Sequence, residues 1–260
     1  MKTESDGSIH KALIIAAGQG SRLNCIANGK PKPLTHLLGL SLIERAVLNL
    51  KKARVGDVTI VIGYLGDKIK AELGDGSRYG LKITYVENEE WKKGNGISVL
   101  KAKRFLSGND DEKFFLLMSD HIFESRILEG LKKMNLEKDI CTLVVDKAPM
   151  QHIDLDDATM VKIENDYILD IGKRLGQYNG VDCGIFLLTP SSIFDALEES
   201  IRNQDDTLSG GIRILGKSRK IKTFDINGHF WVDVDTENDY LQAEKILVTK
   251  ISSSELENEC

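Results

Sequence analysis

The feature that most constrains this chain is an apolar strand running directly into a glycine loop: Lys11-Ala-Leu-Ile-Ile-Ala-Ala-Gly18-Gln-Gly20-Ser-Arg22-Leu23. An apolar run without polar alternation reads as a strand buried on both faces. Its glycines let backbone N–H groups turn toward an anion with no side chain in the way. Arg22 follows at once, and Lys32, between Pro31 and Pro33, comes ten residues later. Together they suit a polyphosphate. The plainer alternative is a strand–turn–helix connection with a surface arginine and lysine. The dinucleotide fingerprint G-x-G-x-x-G is not met, because Leu23 stands at the third glycine position. An arginine in the loop suits a phosphate whose charge changes during reaction.

The first half alternates strand and helix. Lys11–Ala16, Val58–Ile62, Lys82–Val86 and Phe114–Met118 read as strands. Ser41–Ala53 carries a helical stripe at Leu42, Ile43, Ala46, Val47 and Leu50, with Ser41 as N-cap. Asp67–Leu73, closed by Gly74, and Ile97–Leu106 read as further helices. Such alternation predicts an α/β fold: a Rossmann-like mixed, mostly parallel sheet with helices on both faces. Ligands of such sheets bind at the carboxyl ends of the strands, where Gly18 and Asp120 fall.

The second half is less regular. Thr142–Val145, Thr159–Glu164, Tyr167–Ile171, Val181–Leu188 and Lys220–Asp225 read as strands in mixed pairing. Pro190–Arg202 is a helix with Pro190 at its first position. Thr236–Leu247 is a helix capped by Thr236 and Asp239. We expect one domain over 11–250, a polar extension over 1–10 and a polar tail over 251–260.

With 260 residues, 41% apolar and 29% charged, the composition is that of an ordinary globular protein. A net charge of −5 argues against a broad nucleic-acid-binding face. No apolar run approaches the roughly 18–20 residues of a membrane span. Met1 to His10 has no signal-peptide core. Cys25, Cys141, Cys183 and Cys260 form no C-x-x-C pair, which predicts reduced thiols in a cytoplasmic protein and no zinc site.

Two motifs mislead. Gly211-Ile-Arg-Ile-Leu-Gly-Lys-Ser218 fits the P-loop pattern G-x-x-x-x-G-K-[ST], but no strand precedes it. Its middle reads as an amphipathic helical turn, with Lys217 a C-terminal helix charge. The run Asp233 to Asp239 hints at a calcium loop yet lacks the glycine at its sixth position.

The glycine loop with its downstream Lys32-Pro-Leu34 resembles the nucleotidyltransferases that join a nucleoside triphosphate to a phosphorylated sugar or alcohol. Lys93-Gly-Asn-Gly-Ile-Ser98, Met118-Ser-Asp-His-Ile122, Ile171-Gly-Lys-Arg-Leu175, Gly180-Val-Asp-Cys-Gly184 and Trp231-Val-Asp-Val-Asp-Thr236 extend the likeness in order across roughly residues 11–247. They are similar to one subgroup, the CTP:inositol-1-phosphate cytidylyltransferases. Two departures stand out. Asn24 to Gly29 lengthens the stretch from Arg22 to Lys32, predicting a loop that moves before nucleotide binds. Some relatives continue into a membrane-embedded phosphotransferase, whereas Ser252 to Cys260 is polar, so a stand-alone enzyme or an excised domain is expected.

The resemblance implies a nucleotidyltransferase, or GT-A-like, fold and a Mg2+-dependent reaction of CTP with inositol-1-phosphate, giving CDP-inositol and pyrophosphate for phospholipid biosynthesis. It implies catalytic roles for Arg22, Lys32 and Lys173. It implies nucleotide contacts from Ala16, Ala17, Gly18, Gly20, Ser21, Lys93, Gly94, Asn95 and Ser119. It implies metal ligands Asp120 and Asp233, with Asp235 the weaker candidate, which could instead cap the following helix. Lys173 (with Arg174 as a lesser candidate), His121 and Asp182 would meet the acceptor. Each residue has a plainer role too: strand-end aspartates bonding loop amides, a solvated hairpin lysine, Asn95 in a turn, His121 packed under the sheet edge. Another acceptor (a sugar-1-phosphate, phosphocholine or a phosphonate) and a non-catalytic nucleotide-sugar sensor stay open beside this reading.

Overall fold

The computed structural model describes residues 9–23, 29–106, 112–134, 137–149 and 153–258. Most of the N-terminal extension, residues 24–28 of the expected moving loop, and residues 259–260 lie outside that set, as do Cys25 and Cys260.

The strands are β1 (Lys11–Ala16), the two-residue pair β2 (His36–Leu37) and β3 (Leu40–Ser41), β4 (Asp57–Ile62), β5 (Lys82–Glu87), β6 (Phe114–Met118), β7 (His121–Phe123), β8 (Cys141–Asp146), β9 (Met160–Glu164), β10 (Tyr167–Gly172), β11 (Gly180–Leu188), β12 (Ile221–Asp225) and β13 (Trp231–Asp233). Nine of them form one sheet in the order β5-β4-β1-β6-β11-β8-β12-β10-β9. From β5 to β6 the neighbours are parallel. β11 then runs antiparallel to β6 and β8, and β10 antiparallel to β12 and β9, while β8 and β12 are parallel. The expected α/β class is met, with the parallel pairing concentrated in the first half and the mixed pairing in the second.

β1 explains why its sequence is apolar throughout. Ala12, Ile14 and Ala16 enter one core, and Leu13 and Ile15 enter the other. Strand side chains alternate faces, so a strand sandwiched between two cores has no polar position. Fully burying a Leu or Ile side chain contributes roughly 1.5–3 kcal/mol.

The helices are α1 (Leu42–Lys52), α2 (Gly66–Leu73), α3 (Asn95–Lys101), α4 (Lys103–Leu106), α5 (Arg126–Lys132), α6 (Pro190–Arg202), α7 (Leu208–Lys217) and α8 (Glu237–Asn258). α1, α2 and α5 cover one sheet face; α3, α6 and α7 cover the other. Ser41 and Glu44 form a capping box: Ser41 Oγ accepts from Glu44 N–H at 3.3 Å, and Glu44 Oε2 accepts from Ser41 N–H at 3.0 Å. Thr236 and Asp239 do the same for α8. The helix expected over Ile97–Leu106 is two, parted at Ala102. α8 runs eleven residues beyond the expected Leu247, through most of the stretch read as a tail. The P-loop look-alike runs through the C-terminal part of α7 to its C-cap, Ser218, and Gly211 lets the helix close on Leu197.

A third, smaller core lies beneath the site. Leu23, Leu37 and Leu42 meet Ile122 of β7, Val232 of β13 and Ala243 of α8 there. It fastens the glycine loop to the last strand and helix.

Candidate active site

The carboxyl ends of the strands bring the expected residues together. β6 ends at Met118, and Asp120 follows in the turn into β7. β7 pairs antiparallel with β13 so that His121 lies opposite Asp233. Neither three-residue strand would be stable alone; each depends on the small core below.

Lys32 stands at the centre. It is only 4% exposed. Its Nζ lies 2.7 Å from Asp120 Oδ2 and 3.5 Å from Asp233 Oδ1, and it also donates to Asp235 Oδ1. Burial opposes the ammonium charge most strongly, but the three carboxylates outweigh it and raise the Lys32 pKa above the usual lysine range. Its Pro-flanked short helical turn, Lys32–Leu34, holds the chain at this point.

The carboxylates divide their roles. Asp120 is half-buried; desolvation would raise its pKa, yet Lys32 and His121 hold it far below the ordinary carboxylate range. Asp233 is pushed up to about 6, first by burial and then by Asp120 and Asp235 beside it. His121 Nδ1 lies 2.9 Å from Asp120 Oδ1 and 3.6 Å from Asp233 Oδ1. Burial favours neutral imidazole, but Asp233 and Asp120 overcome it and lift His121 to about 9. Its ring stacks on Trp231, 6.1 Å between centroids, and Trp231 Nε1 donates to buried Asp146 at 2.9 Å.

β11 carries a register shift between Asp182 and Phe186. Gly184 sits there at φ +68°, and a Cβ on it would meet the His121 ring at 2.5 Å. This bulge turns Asp182 so that its Oδ1 accepts from Gly184 N–H at 2.7 Å. Burial pushes Asp182 up to about 6, against the pull of that hydrogen bond and of His121. A cavity of about 370 Å³ opens over these groups, lined by Arg22, Asp120, Lys173, Asp182, Asp233 and Asp235 among others.

The nucleotide-side residues are arranged differently. Ala16 and Ala17 are buried, and Ala17 O accepts from Tyr64 N–H at 3.0 Å. Gly18 has open space where a side chain would go. Ser21 begins a helical turn ending at Leu23. Ser119 N–H donates to Ile15 O at 3.2 Å, tying the loop before Asp120 to β1. Gly94 and Gly96 lie against Asp206 and Thr207, and Asn95 Oδ1 accepts from Leu208 N–H at 2.8 Å, bonding the first turn of α7. Asn95 lines the cavity; Lys93 does not, and its Nζ donates to Glu90.

Two residues that the sequence analysis passed over or placed second belong to the cluster. Asp235 holds Lys32 and also Arg22, whose Nη2 lies 2.6 Å from Asp235 Oδ2. Asp157, in the loop before β9, accepts from Arg22 and from Lys173. No periodicity or motif marks Asp157; only the pairing of distant strands brings it in.

The nucleotidyl transferase family profile matches residues 11–153. A Rubrobacter xylanophilus protein named bifunctional IPC transferase and DIPP synthase is 33% identical over 248 residues, covering 91% of this chain and 52% of that protein. One of the same name from Aquifex aeolicus is 34% identical over 242 residues, covering 92% of this chain and 52% of its own length. The chain thus spans about half the length of these curated relatives. The solved inositol-1-phosphate CTP transferase of T. maritima is similar at TM-score 0.75 and 27% identity, covering 89% of this chain and 91% of that one. The family match runs through the segments that carry Arg22, Lys32 and Asp120, and the chain belongs to the nucleotidyl transferase family.

Proposed function

We infer that this protein is a Mg2+-dependent cytidylyltransferase that joins CTP and inositol-1-phosphate to CDP-inositol and releases pyrophosphate. One observation carries the reading. The three cations expected to hold phosphate, Arg22, Lys32 and Lys173, all lie within ion-pair reach of carboxylates in one cleft at the carboxyl end of the sheet. The choice of acceptor draws on the relative whose name states inositol-1-phosphate and CTP.

The residues present fit a hard divalent cation. Asp233 Oδ1 is buried and has no hydrogen-bond partner. Asp120, Asp233 and His121 offer ligand atoms within 4.8 Å of one another. Asp120 and Asp233 would hold the ion, and carboxylates suit Mg2+. When bound, it would supply neutralisation of charge at the α-phosphate.

The chain's own groups do the rest by position and charge. Loop amides of Gly18 and Gly20, with Arg22, hold the β- and γ-phosphates. Lys32, fixed by Gly20 and the aspartates, donates to the α-phosphate as charge develops on it. Lys173 brings the acceptor phosphate in line, and one of its oxygens attacks phosphorus as pyrophosphate departs. The acceptor oxygen already carries charge, so no protein nucleophile is required. Asp182 accepts from neighbouring ring hydroxyls. A membrane phosphotransferase acting after this step belongs to the same proposal, because the relatives' names carry a second activity. A cytoplasmic location is proposed with it; among the described residues no helix is long and apolar enough to cross a membrane.

Pyrophosphate release is measured with four nucleoside triphosphates against a panel of phosphorylated alcohols. CTP with inositol-1-phosphate is expected to be fastest. Faster turnover with phosphocholine or a hexose-1-phosphate would remove the acceptor assignment, and none with any pair would favour a non-catalytic sensor.

A further inference from the structure

Arg22 and Lys173 come from opposite sides of the cleft, one from the glycine loop and one from the end of β10. Both close on the same carboxylate. Lys173 Nζ lies 2.6 Å from Asp157 Oδ1, and Arg22 Nη1 donates to Asp157 Oδ2. Each carboxylate oxygen takes one cation, which is the arrangement that two non-bridging oxygens of a phosphate would take. The loop that carries Asp157 is tied down at both ends. Asp156 and Ala158 N–H bond back to Asp154, and Asp182 N–H donates to Thr159 O at 2.9 Å. The three paired side chains are 35–56% exposed, so an incoming anion can reach them.

The charges set the selectivity. Arg22, Lys173 and Asp157 together leave a net +1, while Asp235, on the other arm of Arg22, stays paired with Lys32 throughout. A monoanion that displaces Asp157 exchanges like for like and gains nothing. A phosphomonoester carries about −1.5 to −2 charge at neutral pH and gains a second unit of attraction. Half-exposed ion pairs are weak, so the carboxylate yields readily to the stronger ligand.

We propose that Asp157 is a charge-selecting residue: it serves as an internal counter-anion on the Arg22–Lys173 pair and admits a dianionic phosphate monoester in preference to singly charged esters. The proposal rests on Arg22 and Lys173 being phosphate holders. It does not depend on which alcohol carries the phosphate.

The probes are methyl phosphate and methyl sulfate, a dianion and a monoanion of similar shape. Their binding is read by the rise in melting temperature in the parent, Asp157→Asn and Asp157→Glu, with inhibition of pyrophosphate release as a second readout. The parent is expected to bind methyl phosphate well and methyl sulfate poorly. Asp157→Asn is expected to bind methyl sulfate about tenfold more tightly, the scale that two such ion pairs can supply. Asp157→Glu is expected to restore the discrimination. Unchanged methyl sulfate binding in Asp157→Asn overturns the proposal, as does weakened binding of both probes, which would make Asp157 a substrate contact. The melting arm reads the outcome even if no acceptor supports turnover, so a wrong acceptor and a wrong role for Asp157 give different results.

Discussion

The side chain of Lys32 runs through the space that a Cβ on Gly20 would need. That atom would lie 2.4 Å from Lys32 Cβ and 2.8 Å from Lys32 Cδ, and Gly20 holds φ at +61°. The second loop glycine therefore seats the lysine as well as freeing an amide. Gly20→Ala is expected to cost about 1–3 kcal/mol in backbone strain and to displace Lys32. Thermal melts and pyrophosphate release measure the two effects, with kcat expected to fall at least tenfold. Parent-like turnover in a destabilised variant would show that Lys32 does not need this seat.

Lys32→Met removes the buried ammonium that faces Asp120, Asp233 and Asp235. Breaking a buried pair from one side costs about 3–5 kcal/mol. Losing a donor to the developing transition-state charge costs about 2.7–4 kcal/mol in the barrier. Mg2+ should recover part of the melting temperature, and more in the variant than in the parent, because the freed carboxylates bind the ion. Equal Mg2+ shifts in both proteins would contradict that account.

Asp120→Asn and Asp233→Asn are each expected to abolish most activity, with the double variant little worse than either. Groups that hold one ion act as a unit and are strongly non-additive. Kinetics of the three variants decide it. Losses that multiply would assign the two carboxylates separate tasks.

Asp182 sets a pH dependence of stability. Its ordinary value is 3.8, and the fold raises it to about 6. The folded state thus binds that proton more tightly, so the contribution is fully present below pH 3.8 and is lost as the pH rises through 6. Asp182→Asn lacks this loss. Relative to the parent it should gain stability between pH 4 and 6 and level off at roughly 1–3 kcal/mol above it. Urea melts at pH 4, 5, 6 and 7 check this; a difference that does not vary with pH would rule it out.

What could be read in advance was local or strongly periodic. Ser41, Pro190 and the Thr236–Asp239 pair mark helix starts because a cap is satisfied within three residues. The two-face burial of β1 shows in its own letters. Lys32, Asp120, Asp233 and Lys173 are candidates that the motifs around them mark, and the fold gathers them in one cleft. Asp157 and the lysine-holding role of Asp235 were not, because both depend on pairings across the whole chain. β7 and β13 are too short for a period to show. Gly184 was legible in principle, since a glycine inside a strand signals a bulge. Asn95 was read as a base contact or a turn residue, but its bond to Leu208 is a tertiary contact that no local pattern encodes.

The partners of Lys32 lie 88 and 203 positions further along the chain, at Asp120 and Asp235. Ribosomes add about 5–20 residues each second. During synthesis the lysine therefore emerges many seconds before the last acid that neutralises it. The nine-stranded sheet takes its final strand at Asp225, whereas Asp233 arrives with β13. A nascent chain halted before Trp231 contains every strand of that sheet and only one of the two proposed metal-binding aspartates, so competence for chemistry is among the last properties the growing protein acquires.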